Sequence, residues 1–117
     1  MKKENMFTTS YFASKAPKER KVCIALKRPR FFHKGGLVVK ELAPTDPWAT
    51  AWQAAYLADL NARFPYGAGL LELLNGIAAT VPNPVLCCYE KEPSECHRHI
   101  LAKFVFDHLG IRIKEWA

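Results

Sequence analysis

The sequence contains no long hydrophobic stretch. No apolar run approaches the roughly 20 residues that a membrane-spanning helix requires, so no such helix and no membrane partner are expected. Residues 1–5 also lack the apolar centre of a secretory signal peptide. The expected location is therefore the cytoplasm. There the four cysteines should stay reduced and serve as core residues, metal ligands or reactive thiols rather than disulfides.

Two glycine-rich phosphate-binding motifs are missing as well. Neither Gly-x-x-x-x-Gly-Lys-Ser/Thr nor Gly-x-Gly-x-x-Gly occurs in the chain, so the sequence predicts neither a P-loop nor a dinucleotide-binding loop. Acidic residues are scarce in the first forty positions, which hold 11 Lys or Arg but only two acids, whereas residues 41–117 carry a net charge of −3. A basic region of this kind is typical of phosphate or nucleic-acid binding, and equally of a well-solvated surface.

The residues that are present suit one globular domain. The chain has 117 residues, of which half are hydrophobic and 24% are charged. Residue patterning predicts strands at 6–12, 21–26, 85–89 and 111–116, a short strand or extended loop at 37–39, and helices at 47–63, 68–80 and 95–108. The strand–helix–strand order at 85–116 predicts a parallel strand pair. We therefore expect one domain over residues 1–117, a three-layer α/β sandwich with a mostly parallel, Rossmann-like sheet.

The segment with the most chemistry reads Cys-Cys-Tyr-Glu-Lys-Glu-Pro-Ser-Glu-Cys-His-Arg-His at 87–99. It crosses the carboxyl end of a strand, a loop and the start of a helix, where open α/β sheets bind their ligands. With Ser94 as the helix cap, Cys96, His97 and Arg98 would fall in the first helical turn. One interpretation is an anion site in which Arg98 and the helix N–H groups hold a phosphate. Glu90 would then be a base or a ribose ligand, and we count Glu90, His97 and Cys96 as catalytic candidates.

Two other interpretations of the same segment stay open. Cys88, Cys96 and either His97 or His99 suit zinc by residue type, although the spacing differs from a paired Cys-x-x-Cys module. Alternatively the segment is structural: Cys87 and Cys88 would pack on opposite sheet faces, and an ion pair between Glu90 and Arg98 would brace the loop. Only one of the two adjacent cysteines can face the following helix, and the sequence does not decide which.

The loop at 27–36 mixes cations with aromatic residues and ends in two glycines. This mixture suits phosphate contact with base stacking, with Arg30, His33 and Lys34 as ligand-binding candidates. It suits equally a solvated loop anchored by Phe31 or Phe32. Farther along, Trp48 and Trp52 are expected in the core or in a groove, and an exposed tryptophan would indicate the face of a homodimer.

The two halves of the 86–102 region resemble a family of small bacterial and archaeal proteins labelled domain of unknown function 488. Its members read hydrophobic–Leu–Cys–x–Glu–Lys, then Cys-His-Arg and an apolar helix, as Leu86–Lys91 and Cys96–Ala102 do here. Thr9–Phe12 and Leu42–Thr45 resemble one branch of the same family. The resemblance implies a cytoplasmic single-domain α/β sandwich without an agreed activity, and its motif positions are Cys88, Glu90, Cys96, His97 and Arg98.

Three functional hypotheses follow. The first is binding, with hydrolysis or transfer, of a phosphate-bearing small molecule, nucleotide or nucleic-acid end. The second is a non-catalytic module that binds nucleic acid or an acidic protein through the basic N-terminal third. The third is a thiol or zinc site at Cys88, Cys96 and His97. The sequence indicates no particular cofactor.

Overall fold

Within its described residues, the chain forms four strands and three α-helices. The computed structural model describes residues 7–27, 29–30, 32, 35–48, 50–90 and 96–116. The strands are β1 (Thr8–Tyr11), β2 (Lys21–Cys23), β3 (Val85–Cys88) and β4 (Lys114–Glu115), and the helices are α1 (Trp52–Arg63), α2 (Leu70–Thr80) and α3 (His97–Leu109). Short 3-10 helices lie at Lys18–Arg20, Lys40–Leu42 and Pro65–Gly67. None of the described helices has the length and apolar character needed to cross a bilayer.

The four strands form one parallel sheet in the order β2-β3-β1-β4. The predicted α/β class with a parallel sheet is therefore confirmed. The predicted pairing of β3 with the last strand is wrong, because β1 lies between them and pairs with both. Strand β1 is thus internal, and its Thr9 and Ser10 are buried even though they are polar.

Alternation along the strands divides the core into two clusters. Val22, Leu86 and Cys88 point to the face that carries the buried residues of all three helices. Cys23, Val85 and Cys87 point to the other face. Among the described residues, that second face is covered by loop residues, notably Phe12, Ala16 and Phe32, rather than by a helix. The third layer of the sandwich is therefore formed by irregular chain.

All three helices begin later than the sequence pattern predicts, and α2 begins at Leu70 instead of residue 68. Helix α1 begins at Trp52 instead of residue 47, because the segment before it is held as a turn. The side chain of Asp59 accepts a hydrogen bond from Thr45 N at 2.9 Å, and Arg63 donates to the carbonyl oxygens of Glu41 and Ala43. Helix α3 begins at His97, with Cys96 as its N-cap residue. Ser94, the predicted cap, lies outside the described residues.

The strands are shorter than predicted. β2 ends at Cys23 rather than at residue 26, and the final strand contains only two residues. The expected extended segment at 37–39 contributes a single parallel bridge between Val38 and Cys23. As a result, residues 24–27 leave the sheet next to the carboxyl end of β3, where they border the site described below.

Candidate functional site

Cys88 and Cys96 meet at the carboxyl edge of the sheet. Cys88 is the last residue of β3, and Cys96 immediately precedes α3. The structure joins them in a disulfide with their Cα atoms 6.8 Å apart, at the wide end of the usual range. The expectation that all four cysteines stay reduced is therefore wrong for this pair. The strand pleat also settles which adjacent cysteine faces the helices: it is Cys88, because its side chain belongs to the helix-bearing face.

His97 lies beside the two sulfurs with its ring held in one orientation. Its Nε2 is 2.6 Å from the carbonyl oxygen of Ile24, and its Nδ1 is 3.8 Å from Cys96 Sγ. A carbonyl oxygen only accepts, so Nε2 carries the proton and Nδ1 presents a lone pair. Burial is the main cause that lowers the pKa of His97 to about 4; the bond to Ile24 opposes the shift, and the charge of Arg98 adds to it. The imidazole is therefore neutral at pH 7.

Arg98 is fully buried directly behind the cysteines. Its Nε donates to Glu115 Oε1 at 2.7 Å, and its Nη1 donates to Cys88 Sγ at 3.2 Å and to the carbonyl oxygen of Glu90. The ion pair expected between Glu90 and Arg98 is wrong: Arg98 donates to the main-chain carbonyl of Glu90, and the carboxylate beside it is that of Glu115. These contacts brace the loop after β3 and turn the guanidinium toward protein groups.

A cavity of about 510 Å³ opens beside the cysteine pair. Cys96 and His97 form part of its wall, whereas Cys88 does not line it. The exposed side chain of Glu90 also lines the cavity. The remaining wall is mostly apolar and aromatic: Ala25, Leu26, Lys27, Pro44, Pro47, Trp48, Trp52 and Tyr89. We call this cavity the aromatic cleft. Its position at the carboxyl ends of two parallel strands is where α/β proteins bind ligands.

The two tryptophans belong to the aromatic cleft rather than to the core. Trp48 is 91% exposed and Trp52 is half-buried. Tyr89 follows β3 directly and is also exposed. Its hydroxyl donates to the carbonyl oxygen of Lys27 at 2.6 Å. The expected packing in the core or a groove is therefore wrong for Trp48, whereas Trp52 is half-buried in the cleft wall, and a large aromatic surface is open to solvent.

The basic-aromatic loop is only partly described. Arg30 is exposed and does not line the aromatic cleft within the described part of the chain. His33 and Lys34, the other two ligand-binding candidates of this loop, lie outside the described residues. Phe32 is buried and packs edge-on against Phe12, with ring centroids 5.7 Å apart. This packing agrees with the interpretation of an anchored loop.

The other two cysteines lie on the far side of the sheet. Cys23 and Cys87 are fully buried thiols in the second core cluster. Burial raises the pKa of Cys87 to about 12, so this thiol is inert at neutral pH. The protein thus carries two buried thiols that serve as internal controls for the pair at the aromatic cleft.

Two participants in the site escaped sequence reasoning. Glu115 partners Arg98, and the carbonyl of Ile24 orients His97. No local pattern marks them, because each is brought to the site by strand order. The insertion of β1 between β3 and β4 places Glu115 at Thr9, whose hydroxyl donates to the same carboxylate at 2.8 Å.

Comparison of the chain with protein-family models, curated proteins and solved structures finds no match. The resemblance to domain of unknown function 488 therefore stays a prediction. The function has to be argued from the geometry of the Cys88–Cys96 site itself.

Proposed function

We propose that the protein is a thiol–disulfide redox protein, in which Cys88 and Cys96 exchange electrons with a small disulfide or thiol bound in the aromatic cleft. The observation that supports this proposal is the disulfide between Cys88 and Cys96, formed where Cys96 lines the cleft. In the cytoplasm that the sequence predicts, such a disulfide is transient and either catalytic or redox-sensing, rather than a permanent structural link.

The surroundings of the two sulfurs assign them different roles. Cys96 lines the aromatic cleft at the N-terminus of α3, where the helix dipole stabilises a thiolate. Cys88 is completely buried behind it, 3.2 Å from the guanidinium of Arg98, which stabilises the negative charge of a released thiolate. Cys96 is therefore the thiol that attacks the substrate, and Cys88 is the thiol that resolves the intermediate.

The reaction balances without any further co-reactant. The Cys96 thiolate attacks one sulfur of a small disulfide, the substrate S–S bond breaks, and one substrate thiolate leaves while a mixed disulfide forms on Cys96. The Cys88 thiolate then attacks Cys96 Sγ and expels the second substrate thiolate. The protein is oxidised to its disulfide, the substrate is reduced to two thiols, and excess small thiol reverses both steps. Because its pKa is about 4, the imidazole of His97 is neutral, and neither step uses it as a proton acceptor.

The direct test is to trap the mixed disulfide. We would treat the reduced Cys88→Ser variant with glutathione disulfide and determine the intact mass and the modified residue by mass spectrometry. We expect one glutathione adduct per chain on Cys96, because the resolving thiol is missing. The wild-type protein should instead form the Cys88–Cys96 disulfide without retaining an adduct.

Two variants control this experiment. Cys96→Ser should form no adduct on Cys88, since that sulfur does not reach the cleft. Cys87→Ser, which removes the adjacent cysteine on the opposite sheet face, should behave as wild type. Adduct formation on Cys23 or Cys87 at the rate seen for Cys96, or equal trapping in both single variants, would overturn the assigned roles.

A second candidate function is supported by the walls of the aromatic cleft. Trp48, Trp52 and Tyr89 offer planar surfaces, and the exposed Lys27 supplies a positive charge, a combination that suits a nucleotide or another planar phosphate-bearing molecule. Arg98 takes no part in this version, because its described contacts are with protein groups. Titration of tryptophan fluorescence with adenosine monophosphate tests it: Lys27→Ala should weaken binding about tenfold, while Lys103→Ala, on the exposed face of α3, should not.

The same titration separates this candidate from the nucleic-acid module. If the protein binds oligonucleotides with a steep dependence on salt, and loses affinity with Arg30→Ala as well as with Lys27→Ala, the module is favoured.

A further inference from the structure

Three atoms that can bind a metal ion lie close together at Cys88 and Cys96. The Sγ atoms of Cys88 and Cys96 and a ring nitrogen of His97 all lie within 4.8 Å of one another, and all three residues are buried. Ligands of a tetrahedral zinc ion are about 3.5–3.8 Å apart, given bond lengths of about 2.3 Å to sulfur and about 2.0 Å to nitrogen. The separation of 3.8 Å between Cys96 Sγ and His97 Nδ1 already matches this spacing.

His97 is oriented as a metal ligand is. Its Nε2–H donates to a main-chain carbonyl, that of Ile24, which fixes the ring and leaves the Nδ1 lone pair directed at the sulfurs. Metal-ligating histidines almost always donate their other ring N–H to a carboxylate or a carbonyl in this way. The ring packs edge-on against the buried Tyr56 at 5.1 Å, which restricts its rotation further. Within the described part of the chain, no hydrogen-bond partner of Nδ1 other than the Cys96 sulfur is present.

The two cysteines have room to act as separate ligands after reduction. Their Cα atoms are 6.8 Å apart, so small side-chain rotations can bring the sulfurs to the spacing of zinc ligands. The Arg98 guanidinium beside Cys88 Sγ stabilises the thiolate, which is the form that binds metal. Their sequence spacing does not matter here, because β3 and α3 bring the residues together.

We propose that the reduced protein binds one zinc ion through Cys88 Sγ, Cys96 Sγ and His97 Nδ1, and that formation of the disulfide releases it. This inference rests on the proposed reversibility of the Cys88–Cys96 pair. Two thiol protons leave when the metal binds. When a small disulfide oxidises the site, the substrate S–S bond breaks, the two protein sulfurs bond to each other, two substrate thiolates form, and the zinc ion departs.

The ligand count gives this site an open fourth position. Structural zinc sites have four protein ligands, whereas sites with three protein ligands leave the fourth position for water or substrate. Cys96 and His97 both line the aromatic cleft, so the open position faces the cleft. A small thiol bound there would coordinate the metal as a thiolate, and the same cleft thus serves a zinc-binding state and a thiol-exchanging state.

Zinc competition tests the proposal directly. Reduced wild-type protein would be loaded with zinc and titrated with the chromophoric chelator 4-(2-pyridylazo)resorcinol, and the cobalt-substituted protein would be recorded by absorption spectroscopy. We expect one zinc per chain, thiolate-to-cobalt charge-transfer bands, and release of the zinc as glutathione disulfide forms the Cys88–Cys96 bond. A reduced protein that holds zinc no more tightly than the double variant Cys88→Ser, Cys96→Ser would overturn the inference.

His97→Gln removes one proposed zinc ligand and keeps both cysteines. This variant should lose at least about tenfold in zinc affinity, while it still forms the disulfide. Its far-ultraviolet circular dichroism spectrum, compared with that of the wild type, shows whether it is folded. His99→Gln, two residues along and exposed, should bind zinc as wild type does. Unchanged zinc affinity in His97→Gln contradicts the ligand set. The thiol-exchange experiment with Cys88→Ser is run with a metal chelator present, so the redox proposal and the zinc proposal fail separately.

Discussion

At the residue scale, His97 and Arg98 are adjacent and both buried, yet they meet the cost of burial in opposite ways. His97 is neutral, because burial lowers its pKa to about 4. Arg98 stays charged, and its guanidinium donates to the Glu115 carboxylate, the Glu90 carbonyl and Cys88 Sγ. A buried charge is tolerated only when it is paired and hydrogen-bonded in this manner. One residue therefore offers a lone pair to the site and the other offers a charge.

The neutral state of His97 predicts that stability depends on pH. The pKa of about 4 in the folded protein lies below the value of about 6.5 in the unfolded chain. The unfolded chain therefore binds more protons between these values, and the free energy of unfolding falls as pH drops from 6.5 to 4, by up to about 3 kcal/mol. Above pH 6.5 the histidine is neutral in both the folded and the unfolded chain, so the stability lost at lower pH is fully present.

Urea unfolding of the disulfide form with chelator, at pH 7, 5.5 and 4, measures the effect. Among the described residues, the other charged or titratable groups facing the ring are Arg98, His99 and Tyr56. His97→Gln should flatten the dependence between pH 6.5 and 4. The same slope in the variant and the wild type would assign it to other groups.

At the element scale, the sequence pattern predicts the helices better than their starting points. The apolar stripe of α2, with Leu70, Leu74 and Ile77 buried, lies where three- and four-residue spacing places it. The start of α1 could not be predicted in this way, because it depends on Asp59 and Arg63 reaching back to the preceding turn. Long-range hydrogen bonds of this kind produce no periodic pattern in the sequence.

The packing of α3 requires a glycine at position 67, between α1 and α2, and this requirement can be tested. Its φ is +80°, and a Cβ there would lie 2.8 Å from the Cβ of His108 on α3. We expect Gly67→Ala to lower the free energy of unfolding by about 2–3 kcal/mol, through the left-handed backbone and the loss of close packing on α3.

Gly76→Ala is the matched control. Gly76 lies inside α2 with open space at the position of an added Cβ, so this change should raise stability by about 0.5–1 kcal/mol. Denaturant unfolding of both variants provides the comparison. Equal effects of the two substitutions would show that the contact between Gly67 and α3 does not constrain the fold.

At the scale of the whole molecule, strand order assembles the site. The sequence predicts the segment that contains Cys88, Cys96 and His97, because these residues follow a strand and begin a helix. It does not predict Glu115 or the carbonyl of Ile24, which reach the site through β4 beside β1 and through the chain leaving β2. It also does not predict whether Arg98 faces a ligand or the protein, since that depends on a partner 17 residues farther along the chain.

The same topology separates the cysteines into two populations. Cys88 and Cys96 lie at the helix-bearing face beside the aromatic cleft, and Cys23 and Cys87 lie beneath the loop layer on the other face. The sheet separates the two pairs, so Cys88 and Cys96 do not exchange with Cys23 and Cys87, which are fully buried thiols. The redox behaviour of the molecule should therefore be that of two cysteines, not four.

The most direct measurement is the number of alkylatable thiols as a function of the glutathione redox potential, with each cysteine located by peptide mass spectrometry. The account predicts that Cys88 and Cys96 become protected together in a single two-electron transition, in which the equilibrium constant changes tenfold for about 30 mV. Under denaturing alkylation, Cys23 and Cys87 should stay reduced throughout. Independent oxidation of Cys88 and Cys96, or a transition that includes Cys23 or Cys87, would contradict the account.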